Sequence, residues 1–166
     1  MPTTGVFAGD HTRSLMGIDS HAVIGLAISP FEEDLLFFQP MFNDAGWKLL
    51  KARTRRQAGT ELSREQLAVV ICERHLIDGN WKDVLSRLAP VLSPPRLIVV
   101  ARCSDNVLWM EVLNMGGFDL LSAPLREVEV AHSVGSAVLD WMEAEAQMKQ
   151  FAGTCRQTYD LTFSAR

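Results

Sequence analysis

The side chains in this 166-residue sequence that could do chemistry are three cysteines, four histidines, a basic cluster and a few acids that follow apolar runs. Cys72, Cys103 and Cys155 form no C-x-x-C and no close metal-ligand spacing. Their odd number suits reduced thiols better than a disulfide framework. Cys72 ends an apolar run and reads as a small buried hydrophobe. His11, His21, His75 and His132 show no ligand spacing. Lys48, Lys51, Arg53, Arg55 and Arg56 could meet an anion or an acidic partner, although charge runs are usually solvated faces. Gly116-Gly117 reads as a helix C-cap, so no Gly-rich loop exists to cradle phosphates. Glu32, Glu33 and Asp34 follow Ser29-Pro30, where acids in a first helical turn favour the dipole. Glu73 follows the apolar run Leu67–Cys72 directly.

These groups sit in a chain of ordinary globular composition, 48% hydrophobic and 22% charged. A net charge of −4 points to neither nucleic acid nor an anionic membrane. The first twenty residues contain no apolar h-region, and no run approaches the roughly 18 apolar residues of a membrane span. The expectation is a soluble cytoplasmic protein.

The elements that must position the candidates alternate regularly. Residues 1–20 are polar and unpatterned, and are expected to form a mobile arm. Ala22–Ile28 reads as a strand buried on both faces. A helix follows, with Leu35, Phe38, Phe42 and Ala45 at helical spacing, and Pro40 inside it should introduce a kink. Trp47–Ala52 is a second strand, Arg53–Gln66 a weak helix and Leu67–Cys72 a third strand. Asp78-Gly79-Asn80 forms a turn before an amphipathic helix marked by Trp81, Val84, Leu85 and Leu88. Pro94-Pro95 precedes a fourth strand, Arg96–Val100, and Ser104-Asp105 caps a helix that ends near Met115-Gly116-Gly117. Phe118–Leu121 is a fifth strand. A long last helix carries Val130, Val134, Ala137, Trp141, Ala144 and Met148 on one stripe, and the tail from Gly153 is expected to be irregular. Five strand–helix alternations imply an α/β fold: a five-stranded parallel sheet, doubly wound, with helices on both faces. Ligands of such folds sit at the carboxyl ends of the strands. The residues just after Ile28, Cys72, Val99 and Leu121 are therefore the ones that matter.

At those positions, over roughly Ala22–Met142, the chain resembles the receiver domain of two-component response regulators (the CheY-like family). The resemblance rests on Asn43-Asp-Ala-Gly-Trp47, Leu76-Ile-Asp-Gly79 and Met115-Gly-Gly-Phe-Asp-Leu-Leu-Ser-Ala-Pro124. The last segment matches the spacing of the family's Gly-Ala-x-Asp-Tyr-Leu-x-Lys-Pro. The resemblance implies a flavodoxin-like three-layer sandwich, with a receiver-like domain over residues 21–148 and a tail over 149–166. Receivers phosphorylate their own aspartate with Mg²⁺. That chemistry uses an acidic pair after the first strand, an acceptor aspartate after the third, a hydroxyl after the fourth and a lysine after the fifth. In this chain the acidic pair falls on Ser29 and Pro30, and the acceptor on Glu73. The hydroxyl falls on Val100, or on Ala101 with a one-residue shift, and the lysine on Ala123. The aromatic residue that reports activation falls on Leu120. The Ala123–Pro124 bond is where the family counterpart is cis.

Each of these positions departs from the family pattern, so the resemblance implies a degenerate pseudo-receiver with no enzymatic activity, no metal and no cofactor. Glu73 either imitates a phosphoaspartate or is a partly solvated carboxylate paired with Arg74 or Arg102. The expected function is a phosphorylation-independent protein-interaction module in bacterial two-component-type signalling. Its partner, a signalling protein or a second copy, would meet the face of the fourth helix, fifth strand and fifth helix, at Trp109, Leu113, Leu120 and Trp141. Trp81 reads as core. One alternative is a flavodoxin-like protein that binds a nucleotide or small metabolite at the same strand ends. Another is a receiver still phosphorylated through relocated acids, Glu32, Glu33 and Asp78.

Overall fold

The computed structural model describes residues 23–163, with side chains through residue 153; the expected N-terminal arm lies outside the described residues. Strand β1 (Ile24–Ile28) is followed by α1 (Glu32–Asp44), β2 (Lys48–Ala52), α2 (Arg55–Arg64) and β3 (Val69–Glu73). A small antiparallel pair, β4 (His75–Leu76) and β5 (Gly79–Asn80), leads into α3 (Trp81–Leu88). Then come β6 (Arg96–Ala101), α4 (Asn106–Asn114), β7 (Asp119–Ser122) and α5 (Glu127–Phe163). The main sheet has the order β2-β1-β3-β6-β7, with every pair parallel. This is the five-stranded, doubly wound parallel α/β fold expected from the alternation of elements.

Period-2 alternation divides the strand residues between two cores. Leu26, Ile28, Val70, Cys72, Leu97 and Val99 face α2, α3 and α4 through Ala58, Trp81, Val84, Leu88, Leu108 and Val112. Ala27, Val69, Ile71, Ile98, Val100 and Leu121 face α1 and α5 through Leu35, Phe38, Phe42, Val130, Val134 and Trp141. Phe42 packs so closely on β1 that a Cβ at Gly25 would stand 2.4 Å from its ring. The glycine is needed for that approach.

Helix starts follow local capping chemistry. Thr54 caps α2, and Asp105 caps α4 by accepting from the Leu108 amide at 2.8 Å. Asn80 and Asp83 form a reciprocal capping box on α3. Pro40 lies within α1, but both Pro40 and Leu36 are exposed. The carbonyl that the missing N–H cannot serve is therefore on the water side of the helix, and α1 continues past it.

Two expectations need correction. Helix α5 does not give way to an irregular tail at Gly153 but runs for 37 residues to Phe163. A lone glycine costs only about 1 kcal/mol relative to alanine, and the neighbouring Ala, Gln, Met, Lys and Arg favour helix. Trp141, expected on a partner face, is 7% exposed and packs in the second core, its indole N–H donating to the Ser93 carbonyl at 3.4 Å. Leu120 is likewise buried, in the first core.

Candidate functional site: the strand-end cluster

The sheet reverses its winding between β1 and β3, so their carboxyl ends flank the crevice where such folds place ligands. Ser29 follows β1 and Glu73 ends β3. Ser29 is held by a backbone bond from its N–H to the Ala52 carbonyl, 3.1 Å. Its hydroxyl accepts from the Phe31 amide at 3.1 Å and donates to Asp34 Oδ2 at 2.7 Å. Asp34 lies in the first turn of α1. It precedes Phe38 and Phe42 by four and eight residues, so the helical repeat turns it inward with them, and it is 5% exposed.

Arg102 follows β6 directly and reaches back over both acids. Its Nη2 donates to Asp34 Oδ1 and Oδ2 at 2.9 and 2.8 Å, and its Nε stands 3.8 Å from Glu73 Oε2. The guanidinium carbon lies 4.1 Å from the centre of the Phe31 ring, a cation–π contact. Ser29, Phe31, Asp34, Glu73 and Arg102 thus form one cluster.

Glu73 is 4% exposed, and its Oε2 accepts no hydrogen bond. Burial pushes its carboxyl up, Arg102 opposes this and the Asp34 charge adds to it, while the Arg74 and His75 amides pull downward. The outcome is a group raised from 4.5 to about 7. One positive charge is shared between two buried acids, and Asp34 holds it by direct bonds. Burial also pushes the neighbouring Cys72 thiol up, with the Glu73 charge assisting, so this cysteine is an inert core group.

The other positions singled out in the sequence bring no polar group to Glu73. Val100 and Ala101 are buried, and their carbonyls accept from the Arg74 and Ala123 amides at 2.7 and 2.9 Å. Ala123 is half-buried, its peptide bond to Pro124 is cis, and Pro30 opens the turn into α1. Ser122 is level with Ala101 across the sheet and touches the Ser104 hydroxyl. Arg74 donates to the Cys103 carbonyl at 3.4 Å, so of the two arginines considered for Glu73 it is Arg102 that approaches it.

The relocated acids do not assemble with Glu73. Glu32 and Glu33 are exposed, and Glu32 pairs with Arg53. Asp78 binds the start of α2, accepting from the Arg55 and Arg56 amides at 2.7 and 3.0 Å. Desolvation pushes its carboxyl up, but the Arg55 and Arg56 amides, its own amide and the Arg55 charge together outweigh it and hold the acid below the usual range. Within the basic cluster, Arg53 pairs with Glu32 and Lys48 with Glu65 at 3.1 Å. On α4, Trp109 is 48% exposed, with Val107, Met110 and Leu113 exposed beside it.

Sequence reasoning gave Asp34 only a dipole role and mentioned Arg102 only as one of two arginines that might pair with Glu73. The inward phase of Asp34 was visible in the Leu35–Phe38–Phe42 stripe. The reach of Arg102 across two strands was not visible, because it depends on the order of strands in the sheet.

No family model and no curated protein matches this chain. Among solved structures it is similar to the signal receiver domain of an HD domain-containing protein from Pseudomonas fluorescens Pf-5, with 20% identity and a TM-score of 0.71 over 80% of this chain and 98% of that one. The signal receiver domain of a putative LuxO repressor protein from Vibrio parahaemolyticus matches with 17% identity and a TM-score of 0.70, over 75% and 96%. A CheY-like receiver domain protein from Methanospirillum hungatei JF-1 matches with 12% identity and a TM-score of 0.67, over 74% and 98%. At these identities the likeness establishes the receiver fold.

The Mg²⁺ that receivers use does not fit the residues present. This small ion demands near-octahedral oxygens at about 2.0–2.1 Å. Here the oxygens of Asp34 are bonded to Arg102 and Ser29, and the one free acid oxygen, on Glu73, faces the same guanidinium. Among the described residues, no three or more His, Cys, Asp and Glu side chains group to hold a metal ion.

Proposed function

We propose that this protein is a pseudo-receiver, a signalling module of the two-component type that engages a protein partner without being phosphorylated. The observation that carries this reading is the Arg102 guanidinium seated between Asp34 and Glu73, in a pocket with neither a lysine nor a free acidic pair. A glutamate offered as acceptor would place its carboxylate one methylene away from the attack geometry. Nothing beside it is positioned to neutralise developing phosphoryl charge, because Ala123 and Ala101 occupy the corresponding strand ends.

With the pocket closed to that chemistry, the module acts through its surface, in the cytoplasm of a bacterial cell. The exposed α4 residues Val107, Trp109, Met110 and Leu113 form an apolar patch of the kind that marks an interface. This is the face we assign to the partner, a signalling protein or a second copy. The corresponding test is incubation of the full chain with acetyl phosphate and Mg²⁺, followed by intact mass measurement. The mass stays unchanged on this reading, and a stoichiometric phosphoryl adduct that disappears in Glu73→Gln would overturn it.

A further inference from the structure

We propose that Arg102 is the resident cation of the strand-end pocket, a permanent positive group that occupies the place of a divalent ion, and that its removal uncovers a divalent-cation site made by Asp34, Glu73 and Ser29. The inference deepens the pseudo-receiver reading and rests on the same pocket.

Three features converge on it. Two acid side chains from different elements, α1 and β3, are each at least nineteen-twentieths buried and face one cation. Burying two carboxylates together is unfavourable unless a positive charge lies between them. Glu73 Oε2 is buried and has no hydrogen-bond partner, so an oxygen ligand is aimed into the cluster and left uncommitted. The guanidinium is further fixed by the Phe31 ring, while the Ser29 hydroxyl supplies a third oxygen beside Asp34. Deletion of the guanidinium leaves two acids and a hydroxyl around an open space, the hard-oxygen donor set that divalent cations take. The role assigned to Arg102 is positioning: it holds the start of α1 against the ends of β3 and β6.

The test is Mn²⁺ binding, followed by water-proton relaxation, with thermal unfolding measured alongside. Wild type should show no saturable site. Arg102→Ala should bind one Mn²⁺ and gain thermal stability with it, and Arg102→Ala/Glu73→Gln should bind at least tenfold more weakly. Arg102→Ala that folds only when Mn²⁺ or Mg²⁺ is added also supports the inference. A folded Arg102→Ala without a saturable site overturns it, as does wild type that binds as tightly as the variant. If Arg102→Ala folds under no condition, paramagnetic broadening of wild-type amides decides. Selective loss of the Ser29, Asp34 and Glu73 signals would contradict a resident arginine, and their persistence supports it. Failure of this inference leaves the pseudo-receiver reading standing, since the latter falls only if wild type is phosphorylated.

Discussion

The residue whose behaviour most directly exposes the chemistry of the pocket is Glu73. Its carboxyl is raised from 4.5 to about 7 in the folded chain, among Asp34 on α1, Arg102 after β6 and the Arg74 and His75 amides. The folded state therefore binds a proton more tightly than the unfolded state between those values. Stability is fully present below about pH 4.5 and is lost as pH rises through about 7, a decline of up to about 3 kcal/mol. Urea unfolding at pH 5, 6, 7 and 8 should show it, and Glu73→Gln should flatten the profile and be the more stable protein at pH 8. A profile that is identical in wild type and Glu73→Gln would contradict the assignment. Asp34→Asn removes the carboxylate that holds Arg102 and leaves a buried site unsatisfied, for a loss of about 1–3 kcal/mol in the urea midpoint analysis. Much of this was legible beforehand. Glu73 was identified at the end of a buried strand, and the absence of a hydroxyl at Val100 or Ala101 and of a lysine at Ala123 followed from the resemblance to receivers. The Asp34–Arg102 bond was not, because it links residues 68 positions apart through the order of the sheet.

At the scale of elements, all five sheet strands and five helices were readable from apolar runs, helical stripes and turn residues. The strand ends moved by one or two residues, whereas α5 runs on past Gly153 to Phe163; the consequential strand shift was at β3, which includes Glu73 and pairs it with Val100. Trp141 and Trp109 show where periodicity stops being informative. Both lie on amphipathic helices, but Trp141 belongs to the stripe that covers β3 and β6, whereas Trp109 sits on the outer side of α4. Trp141→Ala should therefore cost about 3–5 kcal/mol, as large-to-small changes in cores do. Trp109→Ala should stay within about 0.5 kcal/mol of wild type while weakening any partner that uses α4. Equal losses in thermal unfolding would reverse the assignment of faces. The tail from Gly153, expected to be irregular, is instead part of α5 as far as Phe163. A Cβ at Gly153 meets nothing within 4 Å, so Gly153→Ala should strengthen the local helix by about 1 kcal/mol, seen as higher far-UV ellipticity.

For the whole molecule, the fold is that of receivers, and the question is which part of the receiver's chemistry the chain retains. On the pseudo-receiver reading, Arg102 serves the pocket as its cation and the two cores hold the scaffold in one state. Among the described residues, no helix is long and apolar enough to cross a membrane. The helix α5 is about 55 Å long at 1.5 Å per residue. Its contacts with the domain include Ser133 to Asp119 at 2.7 Å, the ion pair of Asp140 with Arg96 and the bond of Glu145 with Gln66. The most direct measurement of phosphorylation independence is a backbone amide NMR titration of the full chain with Mg²⁺ and beryllofluoride, which mimics a bound phosphoryl group. The pseudo-receiver account predicts that the signals of Ser29, Glu73, Ala101 and Ala123 stay in place throughout. A saturable shift of those signals that requires both Mg²⁺ and beryllofluoride would contradict it.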